Sequence, residues 1–183
     1  MTALPQVDDP MLALLDAERA NLLAQVARIP VTRHAERSAP GCWSVTDIVE
    51  HLARIDRGVA RLLALRSTEP LTATAEELAA ARMTPEKVAR VRDRAERIEA
   101  PERVRPTGAL TPEVALAQLT DARAALKAAY VAADPAILDG AVHAHPVVGL
   151  LTLRAWLLLT AHHDARHAQQ IAELADAQPA TPS

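Results

Sequence analysis

Apolar residues recur every three or four positions along four long stretches of the chain, a spacing typical of amphipathic helices. The first stretch follows Asp9 and Pro10, a helix cap and a first-turn proline, and it ends at Pro30. The second opens at Ser44, which forms an acidic capping box with Asp47, and continues to about residue 65. Their inward stripes are Met11, Leu15, Leu22, Val26 and Ile29, and Val45, Ile48, Leu52, Ile55, Val59 and Leu62.

The third stretch starts at Thr111 and Pro112, and the fourth runs from Thr152 to about residue 175. Residues 67–111 are rich in charge and have a narrow apolar stripe, so they predict a crossover outside the core, with short helices over 74–82 and 85–98. Because no strand pattern is present, the chain is predicted to be an all-α four-helix bundle with a long crossover carrying one or two short helices. Residues 1–176 would form a single domain, followed by a flexible tail over 177–183.

Composition narrows the functional classes. Half of the 183 residues are apolar and 23% are charged, which is typical of a soluble globular domain. A net charge of −3 argues against a nucleic-acid partner. No apolar run has the length of a membrane span, and the N-terminus lacks the features of a secretory signal. These features predict a cytoplasmic protein without a membrane partner, and the single cysteine, Cys42, excludes an intrachain disulfide.

The segment AHHDARHAQQI places His163 and His167 one turn apart on the inward face of the fourth helix. His51 lies at the edge of the inward stripe of the second helix. Three buried imidazoles without partners would be costly, because each neutral ring has one donor and one acceptor. One divalent ion would satisfy them and would leave a position open for water or substrate, as in catalytic sites. The pattern therefore predicts a metal site at His51, His163 and His167.

An alternative reading stays open at this point, because one pair of histidines four residues apart is not rare in a chain with seven. The three side chains would then be core histidines that bond to Thr160 or to carboxylates. Of the other histidines, His34 is predicted at the surface and His162 either packed or facing solvent. His143 and His145 precede the last helix without the spacing of metal ligands.

Several residues flank the predicted ligands. Asp47, one turn before His51, is either a helix-start acid or an acceptor that orients an imidazole. Arg54 and Arg166 could bind carboxylates of a cosubstrate, although a solvent-facing position is the simpler interpretation. The two tryptophans of the chain, Trp43 and Trp156, are candidates for the substrate pocket.

The segments APGCWSVTDIVEHLARID and HPVVGLLTLRAWLLLTAHHDARHAQQI together resemble the two signatures of the DinB-like (damage-inducible) superfamily of metal-binding four-helix proteins. The matching residues are Pro40, Gly41, Trp43, Ser44 and His51 in the first, and His145, Pro146, Gly149, Thr152, Trp156, His163, His167 and Gln170 in the second. The sequence departs from the common pattern at Arg166, where many members have another histidine.

This resemblance implies that His51, His163 and His167 surround one divalent ion, commonly zinc, nickel or iron in the family. Some members resemble thiol S-transferases that use bacillithiol or are mycothiol-dependent enzymes, and others are called hydrolases. The leading hypothesis is a metal-dependent enzyme that transfers a low-molecular-weight thiol to an electrophilic small molecule. The nucleophile would be a thiolate or water on the ion. The alternatives are a metal-dependent hydrolase or a metal-binding stress or interaction protein without turnover, and the family suggests a homodimer.

Overall fold

The structure, a computed structural model, describes residues 9–68, 71–95 and 98–177. This part of the chain contains seven α-helices and one β-hairpin, in the order α1 (Pro10–Val26), α2 (Val45–Arg66), α3 (Ala75–Ala80), α4 (Pro85–Arg92), α5 (Pro112–Ala132), α6 (Pro135–Gly140), β1 (Val142–His145), β2 (Gly149–Thr152) and α7 (Leu153–Asp176). The four long helices form the predicted four-helix bundle, in which α1 packs mainly on α7 and α2 mainly on α5. Within these ranges no helix has the length and apolar character needed to cross a membrane.

The predicted caps start the long helices. The Asp9 carboxylate accepts a hydrogen bond from the Met11 amide at 2.7 Å. The Ser44 hydroxyl accepts from the Asp47 amide at 3.1 Å while the Asp47 carboxylate accepts from the Ser44 amide at 3.0 Å, so the capping box is complete. The helix ends were predicted less well: α1 stops at Val26 instead of continuing to Pro30, and α4 stops at Arg92, far short of residue 98.

The crossover carries two short helices, α3 and α4, where one or two were predicted. It also contributes more to the interior than its narrow stripe suggests, since Ala81, Val91 and Val104 are all buried. Val104 ends a short 3₁₀ turn over Glu102–Val104, which lies against α2. The predicted tail falls outside the described residues except for residue 177.

The fold is mostly helical as predicted, but the sequence pattern did not show one short hairpin. Strands β1 and β2 pair in antiparallel register from Val142 opposite Thr152 to His145 opposite Gly149, and Gly149 adopts a positive φ of 76° at the start of β2. Each strand has four residues, which is too short for an alternating pattern to stand out from the sequence around it. The hairpin leads directly into α7 and thereby sets where this helix begins.

The core consists of two apolar clusters separated by a buried layer of charge. This layer, the ionic quartet, takes one residue from each long helix: Arg19, Asp56, Arg123 and Asp164. On α1, for example, Arg19 lies between Leu15 of one cluster and Leu22 of the other. The Arg123 guanidinium contacts Asp56 at 2.9 Å and Asp164 at 2.8 Å, and Arg19 contacts both carboxylates at 3.0 Å.

Candidate metal centre

His51 is held on α2, in the stretch that the capping box at Ser44 opens. Its ring is buried, and its Nδ1 donates a hydrogen bond to the Val104 carbonyl oxygen at 2.7 Å. The proton is therefore assigned to Nδ1, which leaves Nε2 with a free lone pair. Burial lowers the pKa of His51 to about 4, against the effect of the Val104 bond and with a contribution from the Arg54 charge. At neutral pH this imidazole is uncharged and able to bind a metal.

His163 and His167 lie one turn apart on α7, and their Nε2 atoms are 3.2 Å apart. The Nδ1 of His167 faces the Gln170 side-chain oxygen at 2.8 Å, and we assign its proton there. Burial holds the pKa of both rings well below the ordinary histidine value, and the nearby His51 adds to this effect on each. Both rings are thus neutral, and the lone pair of His167 Nε2 accepts a hydrogen bond from His163 Nε2.

The three rings, named here the histidine triad, converge on one point. One ring nitrogen from each lies within 4.8 Å of the others, and the ring centroids are 4.5 to 5.2 Å apart. No carboxylate bonds to a triad ring within the described residues, and the Thr160 hydroxyl donates to the Trp156 carbonyl of its own helix. The alternative of core histidines satisfied by Thr160 or by acids therefore lacks its expected partners.

The donor set fits a divalent transition metal. In a tetrahedral zinc site with Zn–N bonds of about 2.0–2.1 Å, two ligand nitrogens lie roughly 3.3 Å apart, close to the 3.2 Å between His163 and His167. In two of the rings the outer nitrogen bonds to an oxygen acceptor, the arrangement that orients histidine ligands in metalloproteins. His163 Nδ1 is buried without a hydrogen-bond partner among the described residues. The group could hold a metal, with one coordination position left open.

Trp43 forms a wall of the site, whereas Trp156 does not contact the triad through its ring. The Trp43 ring lies 4.8 Å from His51 and stacks on His167 at 6.3 Å with an interplanar angle of 21°. The Trp156 indole donates to the His143 carbonyl oxygen at 3.2 Å, and its ring packs on His145 at 4.9 Å. Trp156 therefore attaches the hairpin to α7, and Trp43 is the tryptophan whose ring contacts the triad.

Two expectations about exposed side chains were wrong, whereas one of the two interpretations of Asp47 is confirmed. Asp47 is the helix-start acid: its carboxylate closes the capping box and accepts from Arg37 at 3.0 Å, and it bonds to no triad ring among the described residues. Arg166 does not face solvent: it is buried, and its Nη1 donates to the Val91 carbonyl at 3.4 Å. His34 is not at the surface but buried, with Nε2 at 2.8 Å from the Ile29 carbonyl oxygen.

Arg54 is half-buried on α2, and its Nε donates to the Glu50 carboxylate at 3.1 Å. Its charge still acts on His51, but its closest bond is to its own helix. His162 is half-buried outside the triad and accepts from Arg92 at 3.1 Å, in line with a packing position. The sequence assigned no role to the Val104 carbonyl or to Gln170. For Gln170 two signals were available: its position three residues after His167, and its match to the second signature.

Comparisons with known proteins agree with this architecture. The chain is similar to a solved structure described as TT2238, a four-helix bundle protein, with a TM-score of 0.60 and 24% sequence identity, over 90% of this chain and 98% of that one. At this identity the likeness supports the fold alone. A search of curated proteins gave no match. The sequence pattern of the DinB superfamily matches residues 14–171, which include all of α2 and α5, most of α1 and α7, and the triad. The chain therefore belongs to the DinB superfamily.

Proposed function

We propose that this protein is a divalent-metal-dependent enzyme that transfers a low-molecular-weight thiol, of the bacillithiol or mycothiol type, to an electrophilic small molecule. The observation that carries the proposal is the convergence of three neutral imidazoles to which no carboxylate of the described residues bonds. Zinc, nickel or iron suits such nitrogen donors. Three protein ligands with an open position are typical of catalytic and not of closed structural sites.

Each residue of the site has a defined part in this proposal. His51, His163 and His167 would hold the ion, and Val104 and Gln170 keep the protons of two rings on the outer nitrogens. A bound ion would supply the nucleophile, since it lowers the pKa of a thiol or a water at its open position. Trp43 limits the space beside His51 and His167, so it would exclude solvent and orient the substrate.

Three arginines lie close enough to act on the triad, and their positive charges contribute to the lowered pKa of its rings: Arg54, Arg94 and Arg166. Arg54 and Arg94 are paired with Glu50 and Glu173. A thiolate is an anion, as are the carboxylates carried by many thiol cosubstrates, so these arginines are the groups that would bind such a cosubstrate.

A homodimer, a single domain over residues 1–176 and a cytoplasmic location stay predictions.

The first test is the metal content of protein purified without a histidine tag, beside the variants His51→Ala and His163→Ala. We expect about one equivalent of a transition metal in the wild type and its loss in both variants. His162→Ala is the matched control, since His162 adjoins a triad residue but bonds to Arg92; it should retain the metal. Wild-type protein that takes up no added zinc, nickel or iron would overturn the proposal.

The second test separates the thiol transferase from its alternatives. After replacement of the metal by cobalt, we expect mycothiol or bacillithiol to change the visible spectrum, because sulfur would enter the coordination sphere of the ion. An unchanged spectrum combined with thiol-independent ester or amide cleavage would support a hydrolase. An unchanged spectrum without any turnover would support a metal-binding protein that is not an enzyme.

A further inference from the structure

A buried carboxylate lies beside the first triad ligand. Glu50 precedes His51 on α2, and its side chain is only 3% exposed. Both of its oxygens accept from the Thr107 amide at 3.0 Å, and both accept from the Thr107 hydroxyl at 3.0 and 3.1 Å. One oxygen also accepts from Arg54 at 3.1 Å. A buried carboxylate with this many donors forms strong, charge-assisted hydrogen bonds.

These bonds attach a loop to α2. Thr107 lies three residues after Val104, whose carbonyl oxygen accepts from His51 Nδ1. Residues 107–109 of this loop are exposed. Leu110 then packs on the apolar cluster that contains Ile48. The carboxylate therefore fixes the loop close to the carbonyl group that contacts the histidine ring.

We propose that the Glu50–Thr107 contact is a latch that positions the metal ligand His51, by holding the Val104 carbonyl oxygen against Nδ1 of its ring. The inference rests on the proposed metal site. Glu50 touches neither the ring nor the predicted ion, so it is a positioning residue. Its effect is to keep the His51 proton on Nδ1 and the lone pair of Nε2 directed into the triad.

The arrangement explains why an acid is buried next to a ligand without bonding to it. The ring itself donates to the neutral Val104 carbonyl, which orients it without adding negative charge beside the triad. The buried charge of Glu50 is compensated by Thr107 and Arg54 instead. The site keeps a neutral ligand, and the loop keeps an ionic anchor.

The test uses full-length protein, zinc as the probe, and the variants Glu50→Ala and Thr107→Val. Loss of a group that orients a ligand typically weakens metal binding by about tenfold to a hundredfold. We expect at least a tenfold loss of zinc affinity in Glu50→Ala and a smaller loss in Thr107→Val, by chelator competition. Thr107→Ser keeps the hydroxyl and should bind zinc as tightly as the wild type. Thr120→Val is the matched control, because the Thr120 hydroxyl bonds only to its own helix, at the Leu116 carbonyl.

A second readout needs no metal. Nitrogen NMR of the metal-free protein reports which ring nitrogen of His51 carries the proton, and we expect Nδ1 in the wild type and a shift toward Nε2 in Glu50→Ala. Folded variants that keep the Nδ1 proton and bind zinc like the wild type would overturn the latch; if Glu50→Ala fails to fold, Thr107→Val decides by the same criteria. Should the wild type bind no zinc, the proposed function fails, and the NMR result alone decides on the latch.

Discussion

The interior of this bundle contains two buried polar clusters that differ in chemistry. The ionic quartet joins two arginines to two aspartates, and its guanidinium groups also donate to the Leu15 and Leu119 carbonyls, at 3.0 and 3.4 Å. The histidine triad joins three like groups, one of which has a buried nitrogen with no partner in the described structure. A cluster with balanced charges and saturated donors serves the fold, whereas one that leaves lone pairs directed at a common point is suited to binding a cation.

The contrast is sharpest on α7, where the two clusters use adjacent residues. His163 belongs to the triad and Asp164 to the quartet, and both leave the same helix at positions about 100° apart. Neither cluster is favourable simply because it is buried. Burial raises the pKa of Asp56 despite the opposing charges of Arg123 and Arg19, so desolvation still costs the quartet free energy.

The largest expected effect comes from breaking the quartet with Asp56→Ala. This change leaves two buried guanidinium groups with one carboxylate, and removing one partner of a buried ion pair typically costs about 3–5 kcal/mol. The free energy of unfolding in urea should fall by that amount. The control is Asp16→Ala, which removes an exposed carboxylate bonded to Lys127 at 2.7 Å and should cost at most about 1 kcal/mol. Equal losses in the two variants would show that the quartet is not a special element of the fold.

The next effect sharpens the assignment of the triad to binding. Zinc at a hundred times its dissociation constant should raise the free energy of unfolding of the wild type by about 2.7 kcal/mol, because the ion binds the folded state. His167→Leu should show no such gain, since it removes a ligand. His162→Leu should respond like the wild type, because this ring bonds to Arg92 outside the triad. Zinc stabilisation that survives in His167→Leu would place the ion elsewhere.

The sequence predicted the bundle because its signals are repeated. Each long helix has a cap and an apolar stripe, and several apolar positions in each stripe independently indicate the same buried face. The quartet was missed although a signal was present. Arg19, Asp56 and Arg123 each lie four residues after one buried apolar residue and three before another, an inward position occupied by a charge. From α1 through α2 and α5 to α7, the buried charge alternates between arginine and aspartate, and this alternation predicts a buried ionic layer.

The site was predictable only in part. The ligands followed from one helical turn and one stripe position, since helix geometry converts spacing directly into direction. Their partners did not, because His51 bonds to a backbone carbonyl 53 residues away, and a carbonyl is present in every residue. Burial of Arg166 and His34 also depends on how the crossover and the first loop fold over the helices. Short strands such as β1 carry too few positions to show a period.

The smallest effect is predicted for His163→Leu in metal-free protein. The change removes the buried His163 Nδ1, whose missing hydrogen-bond partner typically costs the folded state about 1–3 kcal/mol. It also leaves His167 Nε2 without its partner, which costs a similar amount. Because the gain and the loss nearly cancel, the free energy of unfolding in urea with chelator present should change by less than about 1 kcal/mol. The comparison is Asp164→Leu, one residue further on, which should lose several kcal/mol because it leaves the buried Arg19 and Arg123 with one carboxylate. If His163→Leu lost as much stability as Asp164→Leu, the triad would be part of the structural framework. Its neutral rings, and the His163 nitrogen without a hydrogen-bond partner among the described residues, would then need an explanation other than metal binding.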